Sequence, residues 1–406
     1  MSILVLKFGG TSVATTKLIK SAANIVKKEY DAGHDIAVVV SAMAGTTNSL
    51  IQFVNEINNE DDSEYDVVVS SGEQITSGLM SLALKKIGVP ARSWLSWQLP
   101  ILTSGSHRNA MIENIIPDKI LDGFKKKNVA VLAGFQGLSI EDRMTTIGRG
   151  GSDNTAVFLA SALSADRCDI YTDVDGVYTS DPKVTPKVKK LDKVSFEEMI
   201  EMASQGAKVL QTASVESAMN KNVNVQVRST FHPNKEGTEI SLDGNNDDLR
   251  AVTGVAYSKD EAKITITDLV DKPGVAAKIF KALSEDSINV DMIVQNNFIE
   301  RKMTNLTFTV PMADLEDSLQ IIDILRSEIS FNRVISEDNL SKVSIIGSGM
   351  RNQPGIAAKM FECLSDQNIN IEVISTSEIK VSVLIDKSKT EDAVNSLHDV
   401  FRLDSI

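Results

Sequence analysis

Cysteine is almost missing from this chain: Cys168 and Cys363 are the only two in 406 residues, and no CxxC pair occurs. That excludes a disulfide framework and a thiolate zinc site, and it suits a reducing compartment. Histidine is scarce too, and His34, His107, His232 and His398 show no metal-ligand spacing. No apolar run approaches the roughly 20 residues that cross a bilayer. Only four apolar residues precede Lys7, too few for a secretory leader, so a cytoplasmic protein is expected. Positive charge is the minority sign, 42 Lys and Arg against 55 Asp and Glu, for a net charge of −13. Such a balance argues against nucleic acid or an anionic membrane as the main partner.

The chain does have alternating strand and helix patterns over residues 1–242, followed by a polar, turn-forming stretch at 243–250. Ile3 to Leu6 form an apolar run that breaks at Lys7-Phe8-Gly9-Gly10-Thr11-Ser12, and Lys17 to Tyr30 follow with helical spacing. Strand, glycine turn and helix together aim backbone N–H groups at an anion. Here the lysine precedes the glycines, the reverse of a Walker loop. Asp35–Ser41, Asp66–Ser71, Val129–Phe135 and Asp169–Asp173 read as further buried strands, each ending in a small, polar or glycine-bearing loop. A mostly parallel sheet sandwiched by helices follows, with its ligand at the carboxyl ends of the strands.

Gly148-Arg149-Gly150-Gly151-Ser152-Asp153 is the most informative internal loop. Its glycines admit a ligand close to the backbone, Arg149 offers a planar fork for a carboxylate or phosphate, and Ser152 or Asp153 can cap the helix beyond. Ser195 and Glu198 have capping-box spacing at the start of another helix. The run Lys125-Lys126-Lys127 reads as a solvated helix end.

Beyond residue 250 the sequence repeats itself. Pro273–Ile293 aligns without a gap on Pro354–Ile374, an offset of 81 residues, with 11 of 21 positions identical. The first copy, 262–337, reads βαββαβ. The second, 342–406, lacks one strand, which 251–261 can supply from upstream, so the first copy is expected to be inserted into the second.

These motifs, together with Ser41-Ala42-Met43-Ala44-Gly45-Thr46-Thr47, Ser71-Gly72-Glu73, Gly134-Phe135-Gln136-Gly137 and Tyr171-Thr172-Asp173-Val174-Asp175-Gly176-Val177-Tyr178, resemble the motif set of aspartate kinase. That family belongs to the amino-acid kinase superfamily, and the duplicated tail resembles its paired ACT domains. The resemblance covers essentially the whole chain. It implies transfer of the ATP γ-phosphoryl to the β-carboxylate of L-aspartate, with Mg²⁺ arriving on the nucleotide and no dedicated metal cage. It places Lys7, Asp153 and Lys208 in catalysis: Lys7 on the β/γ phosphates, Asp153 orienting it, Lys208 adding positive charge. Phe8, Gly9, Gly10, Thr172, Asp173, Tyr178, Asp181 and Lys183 would frame ATP, the two glycines through their N–H groups. Arg149 would clamp the aspartate α-carboxylate and Glu73 its ammonium, with Ser41, Thr47, Gly150, Gly151 and Ser152 completing that pocket.

The ACT pair implies feedback control by an end-product amino acid such as lysine or threonine, and a homodimer joined through these domains. One effector site would comprise Asp271, Pro273, Gly274, Val275, Ala276, Asn289, Asp291 and Gln295; the other, Ile356, Ala357, Asn368, Asn370 and Glu372. Asn352 aligns with Asp271, so the two sites are expected to differ. Two rival readings are a glutamate or acetylglutamate kinase, against which the ACT pair and Glu73 speak, and a catalytically silent sensor, against which the intact Lys7, Arg149, Glu73 and Asp153 speak.

Overall fold

The structure, a computed structural model, describes residues 2–148, 150–205, 209–244, 250–298 and 303–405. Two compact units emerge. One comprises Met1–Val177, Lys190–Ser204 and Lys208–Asp248; the other comprises Tyr178–Lys189, Gln205–Ala207 and Leu249–Ile406. Among the described residues no helix is long and apolar enough to cross a membrane.

The first unit opens with β1 (Ile3–Phe8), α1 (Thr16–Asp31) and β2 (Asp35–Val40). Helix α1 forms because Thr15 caps it, its Oγ1 accepting from the Leu18 N–H at 3.2 Å, and because Ile19, Ala22, Ala23 and Val26 recur on one buried face. There follow α2 (Thr46–Ile57), α3 (Asp62–Val69), α4 (Ser71–Lys86), β3 (Ala91–Trp94), β4 (Ile101–Ser104), β5 (Met111–Ile115), α5 (Asp118–Lys125), β6 (Val129–Ala133), β7 (Gln136–Leu138), β8 (Met144–Thr146), α6 (Gly151–Ala162), β9 (Arg167–Thr172), β10 (Lys193–Ser195), α7 (Phe196–Ser204), α8 (Thr212–Asn220), β11 (Val225–Ser229) and β12 (Thr238–Ser241). Eight strands make one sheet in the order β10-β12-β11-β9-β1-β2-β6-β3, parallel except where β11 meets β12. Strands β5-β4-β7-β8 make a separate small sheet.

Strand β1 lies in the middle, between β2 and β9, with Leu4, Val5, Leu6 and Phe8 buried. That is the burial expected of a parallel strand covered on both faces. At the carboxyl edge each loop amide is tied to the last carbonyl of its neighbour. Gly9 N–H donates to Tyr171 O, Ser41 N–H to Phe8 O, and Gly134 N–H to Val40 O, at 3.0–3.1 Å. These bonds set the Gly9, Ser41 and Gly134 loops side by side.

One expected strand is a helix. Asp66–Ser71 divides between α3 and the first residue of α4, so Ser71-Gly72-Glu73 opens a helix rather than closing a strand. Asp66 and Val69 are fully buried, whereas Val67 and Val68 are exposed, a spacing of three that only a helix produces. Asp66 accepts from the Arg108 amide and Thr146 Oγ1, and pairs with His107 Nδ1 at 2.7 Å. The capping box at α7 is formed: Glu198 N–H donates to Ser195 Oγ, and Ser195 N–H donates back to Glu198 Oε2.

The second unit holds β13 (Gly254–Val270), α9 (Val275–Glu285), β14 (Asp291–Phe298), β15 (Met303–Val310), α10 (Leu315–Ile324), β16 (Val334–Ile346), α11 (Ile356–Asp366), β17 (Val373–Thr376), β18 (Lys380–Asp386) and α12 (Thr390–Val400). Its six strands form one sheet, β14-β15-β13-β16-β18-β17. Residues 254–258 pair with 342–346, and residues 263–266 pair with 334–337. Thus β13 and β16 are each a single strand running through both modules, where the sequence suggested separate strands. The ladder shifts register between Ser258 and Lys263, at the crossing. Each module has its own core: Ile264, Ile279, Leu283 and Phe308 in one, Val343, Met360, Val383 and Leu397 in the other.

Candidate active site

Lys7 is the penultimate residue of β1, directly beside Val39 and Ile170 in the register. Its side chain is buried, and its Nζ lies 2.5 Å from Asp153 Oδ1. Asp153 belongs to the first turn of α6, where a carboxylate also complements the helix dipole. A lysine so placed has little freedom, and its charge is held at the edge where the strands end. Ser12 closes the turn: Thr230 Oγ1 donates to Ser12 Oγ at 2.6 Å, and Ser12 Oγ donates to Tyr171 O.

Glu73 lies in the first turn of α4, only 3% exposed. Its Oε1 accepts from the Ala42 N–H at 3.0 Å, while its buried Oε2 has no partner among the described residues. Burial pushes the carboxyl up to about 7, although the Ala42 amide, its own amide and the Lys7 charge pull it down. An orphaned carboxylate oxygen of this kind is a seat for a cationic donor.

The α6 N-terminus is pressed against the end of β6. A Cβ on Gly134 would lie 2.8 Å from Ser152 Oγ, so only glycine lets these elements meet. Helix α6 starts from Gly150 in the left-handed region (φ 75°) with no side-chain cap. Neither Ser152 nor Asp153 caps it, because the Asp153 carboxylate is turned to Lys7. Ser152, Asp153 and Gly151 are buried, and Ser41 and Thr47 are half-buried.

Several expectations need correcting. The Gly9 N–H is spent on Tyr171 O, so it is not available to a phosphate. Phe8 is fully buried and stacked on Tyr171, with ring centroids 4.9 Å apart, so its side chain cannot frame a nucleotide. Thr172 and exposed Asp173 stand at the end of β9, with Thr172 Oγ1 donating to Asp173. Tyr178, Asp181 and Lys183 fall in a segment that packs with the second unit. There Asp181 accepts from the Tyr257 hydroxyl and the Lys183 amide. Arg149 and Lys208 lie outside the described residues, as does part of the 243–250 stretch. Among the described residues no three His, Cys, Asp or Glu side chains gather as metal ligands.

In the second unit, α9 and α11 start from Gly274 and Gly355, both left-handed and exposed, with no side-chain cap on either helix. Pro273, Gly274, Val275 and Ala276 cluster at the first of these ends, Ile356 and Ala357 at the second; Asp271, Asn289 and Asn368 are exposed. Asp291 and Glu372, expected to face an effector, are instead held by lysines. Lys342 Nζ is 2.7 Å from Asp291 and 2.9 Å from Glu261, and Lys263 Nζ is 3.1 Å from Glu372 and 3.0 Å from Glu337. Burial pushes Asp291 up, but the bond and charge of Lys342 hold it below the usual carboxylate range. Lys263, and then Asn370, hold Glu372 low as well. Both lysines escaped the sequence reading because neither aligns with a lysine in the other copy.

The amino acid kinase family profile matches residues 2–229, and the ACT domain profile matches 265–323 and 343–401. An aspartate kinase of Stutzerimonas stutzeri is 48% identical over 407 residues, spanning 100% of this chain and 98% of that protein. Among solved structures, E. coli aspartokinase III in complex with aspartate and ADP (R-state) is similar at a TM-score of 0.81 and 27% identity, covering 98% of this chain and 99% of its own. Its complex with lysine and aspartate (T-state) reaches 0.78 at the same identity and coverage.

Proposed function

The chain belongs to the aspartokinases of the amino acid kinase family, and from that we propose that it moves the γ-phosphoryl of ATP onto the β-carboxylate of L-aspartate. A carboxylate oxygen attacks phosphorus as the bond to the ADP oxygen breaks, giving 4-phospho-L-aspartate with no proton to transfer. Such a step asks a protein mainly for positioning and for positive charge on the transferring group. Lys7 supplies that charge and Asp153 aims it; Lys208 adds a second cation. The Gly10 amide receives phosphate oxygen, and Thr172 and Asp173 attend the nucleotide. Mg²⁺ enters as part of the substrate, Mg·ATP, since it keeps most of its water and needs few protein ligands.

The observation that carries this reading is the unpartnered Glu73 Oε2, buried at the same strand-end edge as Lys7. It fits the α-ammonium of aspartate, with Arg149 on the α-carboxylate and Ser41, Thr47 and Ser152 around the backbone. An assay of ADP release with aspartate, glutamate and acetylglutamate tests it. Aspartate alone should turn over, and turnover on glutamate alone would refute the assignment.

The product's mixed anhydride suits it to open the route to lysine, threonine, methionine and diaminopimelate. End-product amino acids would bind at the uncapped starts of α9 and α11, where free N–H groups favour a carboxylate. E. coli aspartokinase III in complex with lysine supports an effector of this type. Asp271 corresponds to Asn352 in the repeat, so the two sites should respond unequally. Adding lysine and threonine singly and together, with molar mass followed by light scattering, tests both control and a homodimer joined through the ACT modules.

A further inference from the structure

The outer strand of the large sheet, β3, forms one wall of an open cleft of about 720 Å³, with α5 opposite. That volume is in the range of small-molecule sites. The cleft holds both tryptophans of a chain with only 5% aromatics. Trp94 carries the Arg92 guanidinium stacked 3.8 Å over its ring, and Trp97 is 57% exposed.

The charge of this cleft opposes that of the molecule. In the run Lys125–Lys127, Lys125 pairs with Asp122 at 2.7 Å and Lys127 with Asp35 at 3.3 Å. The middle lysine, Lys126, lines the cleft with no carboxylate in ion-pair range among the described residues, and the same holds for Arg92. Lys119 donates to the Gln98 carbonyl and keeps its charge. Asp122, the acid in the lining, is engaged by Lys125 in a solvent-exposed pair. Trp94 is only 6% exposed and lies under Arg92, so the open indole is that of Trp97; unpaired cations beside it, on a protein of net charge −13, form a receptor for a flat anion, Trp97 taking the plane and the cations the charge.

We infer that this cleft is a second small-molecule site, apart from the phosphoryl-transfer site, for an aromatic or heteroaromatic ring bearing a carboxylate or phosphate. Because Trp94 and Trp97 are the only tryptophans, intrinsic tryptophan fluorescence of the full chain reports on this cleft directly. Benzoate and phenyl phosphate are the probes and separate the two headgroups. Inorganic phosphate and benzyl alcohol carry charge or ring alone. A saturable change with benzoate or phenyl phosphate is expected, with the double variant Arg92→Ala/Lys126→Ala weakening binding about tenfold, the loss of roughly 1.4 kcal/mol. The same variant should keep its kcat and both KM values, which shows that it is folded and that the cleft is distinct from the kinase site. Linear, non-saturating quenching would overturn the proposal. So would an equal response to inorganic phosphate or benzyl alcohol, or a saturable signal untouched by the double variant.

Discussion

Lys7 Nζ sits 2.5 Å from Asp153 Oδ1, a contact that ties the end of the central strand to the first turn of α6. In Asp153→Asn the lysine keeps its charge but loses its aim. Lys7→Ala should lower kcat by roughly 100-fold or more, as loss of a transition-state charge contact does. Asp153→Asn should lower kcat less, about tenfold, with the KM for aspartate little changed. Steady-state kinetics checks both, and undiminished kcat in Lys7→Ala would remove the lysine from the mechanism.

Glu73 predicts two opposite pH dependences. Its carboxyl titrates near 7 when folded and near 4.5 when unfolded. The folded state therefore binds more protons between those values, and unliganded stability falls as pH rises through that window, by about 3 kcal/mol at most. Glu73→Gln should flatten this slope in urea melts at pH 5, 6 and 8. Aspartate binding runs the other way, because the ammonium needs the ionised carboxylate. The KM for aspartate should rise as pH drops below 7, and in Glu73→Gln it should be high at every pH.

Gly134→Ala tests the contact between β6 and α6. Its new Cβ meets Ser152 Oγ at 2.8 Å and Ser152 Cβ at 2.9 Å, so the start of α6, and Asp153 with it, must move. Activity should fall at least tenfold while the protein stays folded, the size expected when catalytic groups are misplaced. Gly134→Ala/Ser152→Gly, which clears the space, should regain part of kcat.

The two lysines of the second unit should differ in cost. Lys342 and its partner Glu261 have side chains 6% and 9% exposed, so Lys342→Met strands a buried carboxylate and should cost about 3 kcal/mol. The partners of Lys263 are 45% and 34% exposed, and water can replace the lysine. Lys263→Met should cost about 1 kcal/mol. Equilibrium urea denaturation of both variants gives the comparison.

The parallel sheet and the Lys7 turn were readable because buried strands are continuous apolar runs and glycine turns punctuate them. Asp66–Val69 was misread for the same reason. Three valines in a row suit a strand, and only the burial of Asp66 by His107 and Thr146 betrays the helix. The continuity of β16 was hidden because residues 336–339 are polar and exposed, like a loop, yet stay extended by pairing with β13. The repeat pointed to Asp291 and Glu372 together, but nothing local shows that each is held by a lysine from a distant strand. The role of the Gly9 amide was likewise invisible, since its acceptor, Tyr171 O, comes from the far side of the first unit's sequence.

Strands β13 and β16 traverse both modules, and the register shift where they cross lies among Glu261, Lys263, Glu337 and Lys342. The pair is therefore one spine shared by two cores, with a charged collar at its midpoint. Severing either strand would therefore open the sheet of both modules at once.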